Sequence, residues 1–281
     1  LETASQIANE KRVEKRVEEI EESGNKPVSL SGRTEVQAKV VEGIKQKMLA
    51  ALEDGTKPFP NIVSVRNFAE SLGMEVSKWG KTDILLQELV EDALVRAARE
   101  VVEMAKEGRE AGHELPLKEI YDTIVNLYNL QPTISMRSSN RVAMQQYSTP
   151  LPMAFVADMF IGAGNPGSIM EPTAGNGMLV FALDAGITHV NELDETRLSN
   201  LREQGYDKVT SQDATLPFEG TYDAVIMNPP FGNSAAKDYD GYSISGLDPQ
   251  IALNALDSMG DNGRTAIIIG GNMEYAENGS I

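Results

Sequence analysis

Ile169-Met170-Glu171-Pro172-Thr173-Ala174-Gly175-Asn176-Gly177-Met178-Leu179 reads as a short strand that runs into a glycine turn and then opens a helix. The glycines permit positive backbone φ and close approach of a ligand, and the N-terminus of the following helix offers free N–H groups to an anion such as a carboxylate. A Gly-x-Gly turn alone is equally compatible with plain strand-to-helix packing, so its surroundings decide. Around it, β-rich runs at 168–171, 189–192, 208–212, 222–227 and 265–269 alternate with helical patterns at 178–185, 195–204 and 249–259. That rhythm predicts an α/β domain with a doubly wound, mainly parallel sheet and ligands at the carboxyl ends of its strands.

Upstream the texture differs. Apolar residues recur at helical spacing over 6–22, then from Val36 to Leu52 with an end near Gly55, from Val65 to Leu72 with a stop at Gly73, from Leu85 to Met104 with an end before Gly108, and from Leu117 to Tyr128 before Pro132. Residues 1–135 are therefore expected to form an all-α amino-terminal domain and 136–281 the α/β domain. Charge follows the same division. Residues 1–144 hold 20 basic and 24 acidic residues, and residues 145–281 hold 5 and 18, which accounts for the overall charge of -17.

The 281 residues contain no cysteine, which excludes disulfides, thiolate metal sites and a cysteine nucleophile. His113 and His189 lie far apart, so no metal site is expected. No apolar run is long enough for a bilayer, and the charged start 1–23 lacks the apolar stretch of a signal peptide. The expectation is a cytoplasmic protein without membrane contact. Nothing in the sequence fixes an oligomeric state.

Three further positions give the glycine turn a chemical context. Glu192 ends the second strand, 17 residues beyond Gly175, where an acid can accept both hydroxyls of a ribose; a solvated acid is the alternative. Asp213 follows the third strand and can accept from an adenine amine, or cap a turn. The run 222–227 then ends directly in Asn228-Pro229-Pro230-Phe231, two prolines stiffening the backbone where the crevice of a parallel sheet opens. An exocyclic amine conjugated to its ring is a poor nucleophile. A site that alkylates it must accept its hydrogen bonds and hold its nitrogen in line with an electrophilic methyl group. Asn228 can offer its side-chain carbonyl, Pro229 its main-chain carbonyl and Phe231 a stacking face for a planar base extruded from a duplex.

Taken in order, Glu171-Pro172-x-x-Gly175-x-Gly177, Glu192, Asp213 and Asn228-Pro229-Pro230-Phe231 resemble the motifs of class I S-adenosylmethionine-dependent methyltransferases, DNA adenine-N6 methyltransferases in particular. Tyr147-Ser148-Thr149-Pro150, ahead of the first strand, is similar to a motif that contacts the cofactor in the gamma branch, which includes the modification subunits of type I restriction systems. The resemblance covers about 146–270. It implies a Rossmann-like sheet, S-adenosyl-L-methionine as cofactor and DNA with a flipped adenine as partner. By the same resemblance Thr149 and Pro150 line the cofactor, and Glu171, Pro172, Thr173, Gly175 and Gly177 surround its methionine part. Glu192 then holds the ribose and Asp213 the adenine, while Asn228, Pro229, Pro230 and Phe231 form the catalytic set around the target base. Family members continue with further strands and a target-recognition region, so the α/β part reads as truncated after about the fifth strand.

Two alternatives stay open. Protein glutamine-N5 methyltransferases also pair a helical amino-terminal domain with an Asn-Pro-Pro-aromatic strand end, although Glu171-Pro172 and the Tyr-Ser-Thr-Pro run favour DNA. The acid excess also fits a non-catalytic cofactor-binding or interaction module of a larger mobile-element protein. The lysines and arginines between Lys39 and Lys81, with a helix-turn-helix pattern at 65–86, are read as a solvated surface.

Overall fold

The computed structural model describes residues 33–53, 55–76, 81–133 and 148–268, all of them within one compact unit, Arg33–Ile281. The helix expected at 6–22, Trp79, Tyr147 and the division expected at 135/136 lie outside the described residues.

A capping box starts the first helix: Thr34 accepts the Gln37 N–H and the Gln37 side chain accepts the Thr34 N–H. Helix α1 (Glu35–Ala50) buries Val40, Val41, Ile44 and Met48 on one face. Asn61 caps α2 (Ile62–Ser71) by accepting the N–H groups of Val63 and Ser64. Helix α3 (Lys81–Glu110) continues through Gly108, past the end expected for it. It closes instead at Gly112, whose φ of +84° lets the His113 N–H reach back to the Gly108 carbonyl at 2.7 Å. Helix α4 (Leu117–Asn129) turns Ile120, Ile124 and Leu127 inward.

From Leu86 to Val95, α3 is buried on every side. A helix in that position needs a partner on each flank. Leu86, Leu89, Val90, Ala93 and Leu94 join the apolar core shared with α1, α2 and α4. The other flank carries Gln87, Glu88, Glu91 and Asp92, all nearly inaccessible.

Helix α5 (Leu151–Gly162) leads into the sheet. Its sequence is apolar on both faces, with Ala154, Phe155 and Ile161 buried and Met153, Val156 and Phe160 about half exposed, so no polar stripe marks the period. Strands β1 (Ile169–Glu171), β2 (Thr188–Asn191), β3 (Lys208–Thr210) and β4 (Tyr222–Met227) follow. An antiparallel hairpin of β5 (Asn233–Tyr239) and β6 (Tyr242–Gly246) comes next, with Asp240 and Gly241 at positive φ in its turn. Helix α7 (Leu247–Asp257) and strand β7 (Met259–Ile267) complete the described chain. The main sheet is parallel throughout, in the order β3-β2-β1-β4-β7, the Rossmann-like, doubly wound arrangement expected. Successive residues face opposite layers: Ile169, Ala224 and Ile226 pack toward the helical core, and Met170, Val225 and Met227 toward Ile251 and Ala255 of α7.

One expected helix is absent. Residues 178–185 form a single 3-10 turn at Met178–Val180, with another at Ala185–Ile187. The segment 178–183 is buried all round. The Ala182 N–H is taken by the Asp158 carboxyl of α5 at 2.9 Å, and Asp184 accepts the Gly186 N–H at 2.8 Å, so local side chains replace the helical ladder. Burial pushes Asp158 well above the ordinary carboxylate range. His189 lies buried in β2, bonded to the Tyr222 hydroxyl and, at 2.8 Å, to the Thr210 hydroxyl. Burial, with Lys208 adding to it, lowers its pKa to about 4, so it clamps three strands as a neutral ring.

Candidate functional site

From β1 the chain crosses to β2 on one side, and β4 returns on the other, so the strand order reverses between β1 and β4 and a crevice opens at their carboxyl ends. A cavity of about 470 Å³ occupies it. Its walls include Thr149, Glu171, Pro172, Thr173, Gly175, Glu192, Asp213 and the run Asn228-Pro229-Pro230-Phe231, with Leu193, Leu247 and Ile251 as apolar lining. These residues, dispersed over more than 80 positions of sequence, line one cavity.

Two predicted positions are not part of the wall. Pro150 is the N-cap residue of α5 and acts on the start of that helix. Gly177 has φ of +85° and faces inward: a Cβ placed there would lie 2.5 Å from the Tyr206 hydroxyl and 3.0 Å from the Gln204 side-chain oxygen. Its glycine requirement comes from packing against the segment after α6 (Glu195–Arg202), and not from approach of a ligand.

At the end of β1, Glu171 is 1% exposed, and its Oε1 accepts the N–H of Thr173 at 2.9 Å and its hydroxyl at 3.3 Å. Burial raises its pKa to about 8, the charge of Glu192 adding to the rise while the Thr173 bonds oppose it. Glu192 follows β2 and bridges backbone: Oε2 accepts the Gly175 N–H and Oε1 the Asp194 N–H, both at 2.8 Å. Its pKa is also raised by burial. Asp213 accepts the Thr215 N–H at 2.8 Å and so caps its own turn while lining the cavity. Asn228 donates from Nδ2 to the Thr149 hydroxyl oxygen at 3.0 Å, fixing the amide beside the strap that precedes α5.

The residues that support this wall were not singled out from sequence. Asn191 is 1% exposed and ties three strand ends together: its Nδ2 donates to the carbonyls of Pro172 and Gln212, and its Oδ1 accepts from Thr210 and the Gln212 N–H, at 2.9–3.0 Å. A buried polar residue in a strand is its only sequence signal. The polar flank of α3 supplies the rest. Glu88 holds Arg197 of α6 through two bonds of 2.9 and 3.3 Å and accepts the Asn176 amide at 2.7 Å. Glu91 accepts Asn176 at 3.0 Å and the Ser148 hydroxyl at 2.8 Å. Asp92 accepts Arg33, Arg96 and Gln204. Burial opposes the charge on Arg197, but Glu88 and Glu91 outweigh it and hold the guanidinium protonated beyond its ordinary range. The helical region thus buttresses the glycine turn directly. Among the described residues, no group of three or more His, Asp or Glu is placed to hold a metal ion, and no helix is long and apolar enough to cross a membrane.

No family model and no curated protein matches the sequence. Solved structures of similar fold do. A candidate RNA methyltransferase of Pyrococcus horikoshii is 23% identical, over 50% of this chain and 68% of its own, with a TM-score of 0.36. A candidate class I S-adenosylmethionine-dependent methyltransferase of Listeria monocytogenes is 13% identical over 84% and 76%, with a TM-score of 0.45. Human N-acetylserotonin methyltransferase, solved with S-adenosylmethionine, is 11% identical over 80% and 75%, with a TM-score of 0.32. Values this low say nothing of substrate or activity.

Proposed function

We propose that the chain is an S-adenosylmethionine-dependent methyltransferase that methylates the N6 amine of adenine in DNA. The observation that carries this reading is that one cavity is lined both by Glu171, Gly175, Glu192 and Asp213 and by Asn228-Pro229-Pro230-Phe231.

The residues present fit the cofactor. Glu192 spends one acceptor position of each oxygen on backbone, and a carboxylate has about four, so one remains on each for the two ribose hydroxyls. Leu193, Leu247 and Ile251 give an adenine ring apolar contact. Glu171, held neutral near its raised pKa, becomes a carboxylate when a cationic group is placed beside it. S-adenosylmethionine, when bound, supplies a methyl group already activated on a sulfonium. The chain's own task is positioning. Asn228 accepts one proton of the target amine on its side-chain carbonyl and Pro229 the other on its main-chain carbonyl, which localises the nitrogen lone pair and aims it. The paired prolines hold both acceptors in place before the base arrives, and Phe231 stacks on it.

Incubation with tritiated S-adenosylmethionine and unmethylated DNA tests the reading, with label in N6-methyladenine as the expected result. The Asn228-Pro229-Pro230-Phe231 strand end suits an amide nitrogen as well as a ring amine, which keeps a second reading, transfer to a protein glutamine. Label that enters only a glutamine-bearing protein supports that reading and overturns the adenine one. Cofactor binding without transfer to either substrate leaves the non-catalytic module.

A further inference from the structure

Glu91 belongs to α3, outside every motif read from the sequence, yet it reaches two of them at once, the glycine turn and the Ser148-Thr149 segment. It is 7% exposed. Its Oε2 accepts both the Asn176 amide of the glycine turn and the hydroxyl of Ser148. The next residue, Thr149, accepts the Asn228 amide. Asn176 is also held by Glu88 at 2.7 Å, so the glycine turn has a second anchor. The Ser148 hydroxyl is anchored to α3 through Glu91.

The direction of the Asn228 amide matters to the proposed chemistry. Its NH2 end repels the protons of an incoming amine and its carbonyl end accepts one, while the two ends have nearly the same shape. A neighbour that accepts from Nδ2 favours one of the two directions, and Thr149 does so at 3.0 Å.

We infer that Glu91 is a positioning residue for methyl transfer: through Ser148 it sets Thr149 against the Asn228 amide, and so turns the Asn228 carbonyl toward the target nitrogen. This rests on the methyltransferase reading. Displacing a reacting group by about 1 Å costs up to about 100-fold in rate, so loss of the tether is expected to appear in kcat. Cofactor affinity is expected to hold, because Glu88 keeps the glycine turn in place.

The test measures tritium transfer to unmethylated DNA, together with calorimetric binding of S-adenosylhomocysteine, for the wild type, Glu91→Leu, Glu91→Gln, Ser148→Ala, Thr149→Val and the double variant Glu91→Leu/Thr149→Val. Glu91→Leu and Ser148→Ala are expected to lower kcat about tenfold or more while the Kd for S-adenosylhomocysteine stays within about threefold. Glu91→Gln still offers Ser148 an acceptor and retains most of the rate. The double variant is no slower than Thr149→Val, because both changes break one chain of contacts. An unchanged kcat in Ser148→Ala overturns the inference. So do losses that multiply in the double variant, or a parallel fall of kcat and affinity. If Glu91→Leu does not fold, Ser148→Ala and Thr149→Val decide. A wild type that binds S-adenosylhomocysteine but labels no DNA refutes the adenine reading, and the inference with it, before any variant is made; a wild type that does not bind it refutes the cofactor.

Discussion

Glu171→Gln is expected to gain stability relative to the wild type, in the ligand-free protein, as pH rises from 5 to 8. The carboxyl is 1% exposed, and its pKa rises from 4.5 to about 8 on folding. Between those values the folded chain keeps a proton that the unfolded chain has released, so stability falls as pH rises through the window. At pH 7 the gap from 4.5 is 2.5 units, and at 1.36 kcal/mol per unit the ionisable group costs about 3 kcal/mol. Glutamine keeps an oxygen for Thr173 and has no proton to lose. Its extra NH2 group adds a burial cost of about 1–3 kcal/mol that does not vary with pH, so the slope carries the information. Urea unfolding of both proteins at pH 5, 6, 7, 8 and 9 measures the effect. The stability difference should climb by about 1.4 kcal/mol per unit up to pH 8 and then level. A difference that is flat from pH 5 to 9 refutes the argument, because it means that Glu171 ionises as freely in the folded chain as in the unfolded one.

Asn228→Ala should abolish DNA methylation while calorimetry still finds S-adenosylhomocysteine bound, since Glu171, Gly175, Glu192 and Asp213 make their hydrogen bonds with other residues. Equal activity in that variant removes its proposed role. Phe231→Ala should weaken capture of DNA carrying an unpaired adenine by about 1–3 kcal/mol in a competition assay, the value of one base stacked on a ring. Gly177→Ala should destabilise the fold by at least about 1–2 kcal/mol from its positive φ alone. The added Cβ, 2.5 Å from the Tyr206 hydroxyl, increases that cost, and thermal unfolding reads it.

The strand ends were legible because Gly, Pro and an acid at the end of an apolar run are local signals. The run 222–227 coincides with β4, and Asn228 begins where that strand stops. The helix expected at 178–185 was misread because an entirely apolar run has no period to reveal. One tertiary bond to Asp158, and a local one to Asp184, decided its shape. Helix α5 was missed for a related reason, since its outward face carries Met153, Val156 and Phe160 in place of polar residues. The hairpin of β5 and β6 left one usable signal, Asp240-Gly241 between tyrosines. The acidic flank of α3 was the deepest omission. Glu88, Glu91 and Asp92 sit at the spacing of a solvated helical face, and only the arrival of Arg197, Asn176, Arg33 and Gln204 from elsewhere in the chain makes that face an interior one.

Glu171 and Glu192 are both pushed toward neutrality by burial, and each raised pKa opposes folding of the ligand-free chain above pH 4.5. A ligand with positive charge near Glu171 reverses that effect, so its binding free energy includes recovery of a carboxylate already in place, whereas a neutral nucleoside gains nothing from the same group. The acids that favour such a ligand disfavour a phosphate backbone, and only 5 basic residues follow position 144 to offset them. A nucleic acid substrate is therefore best matched to this chain when a single base enters the crevice and its phosphates stay outside, which is the geometry that the stiff Asn228-Pro229-Pro230-Phe231 rim requires in any case.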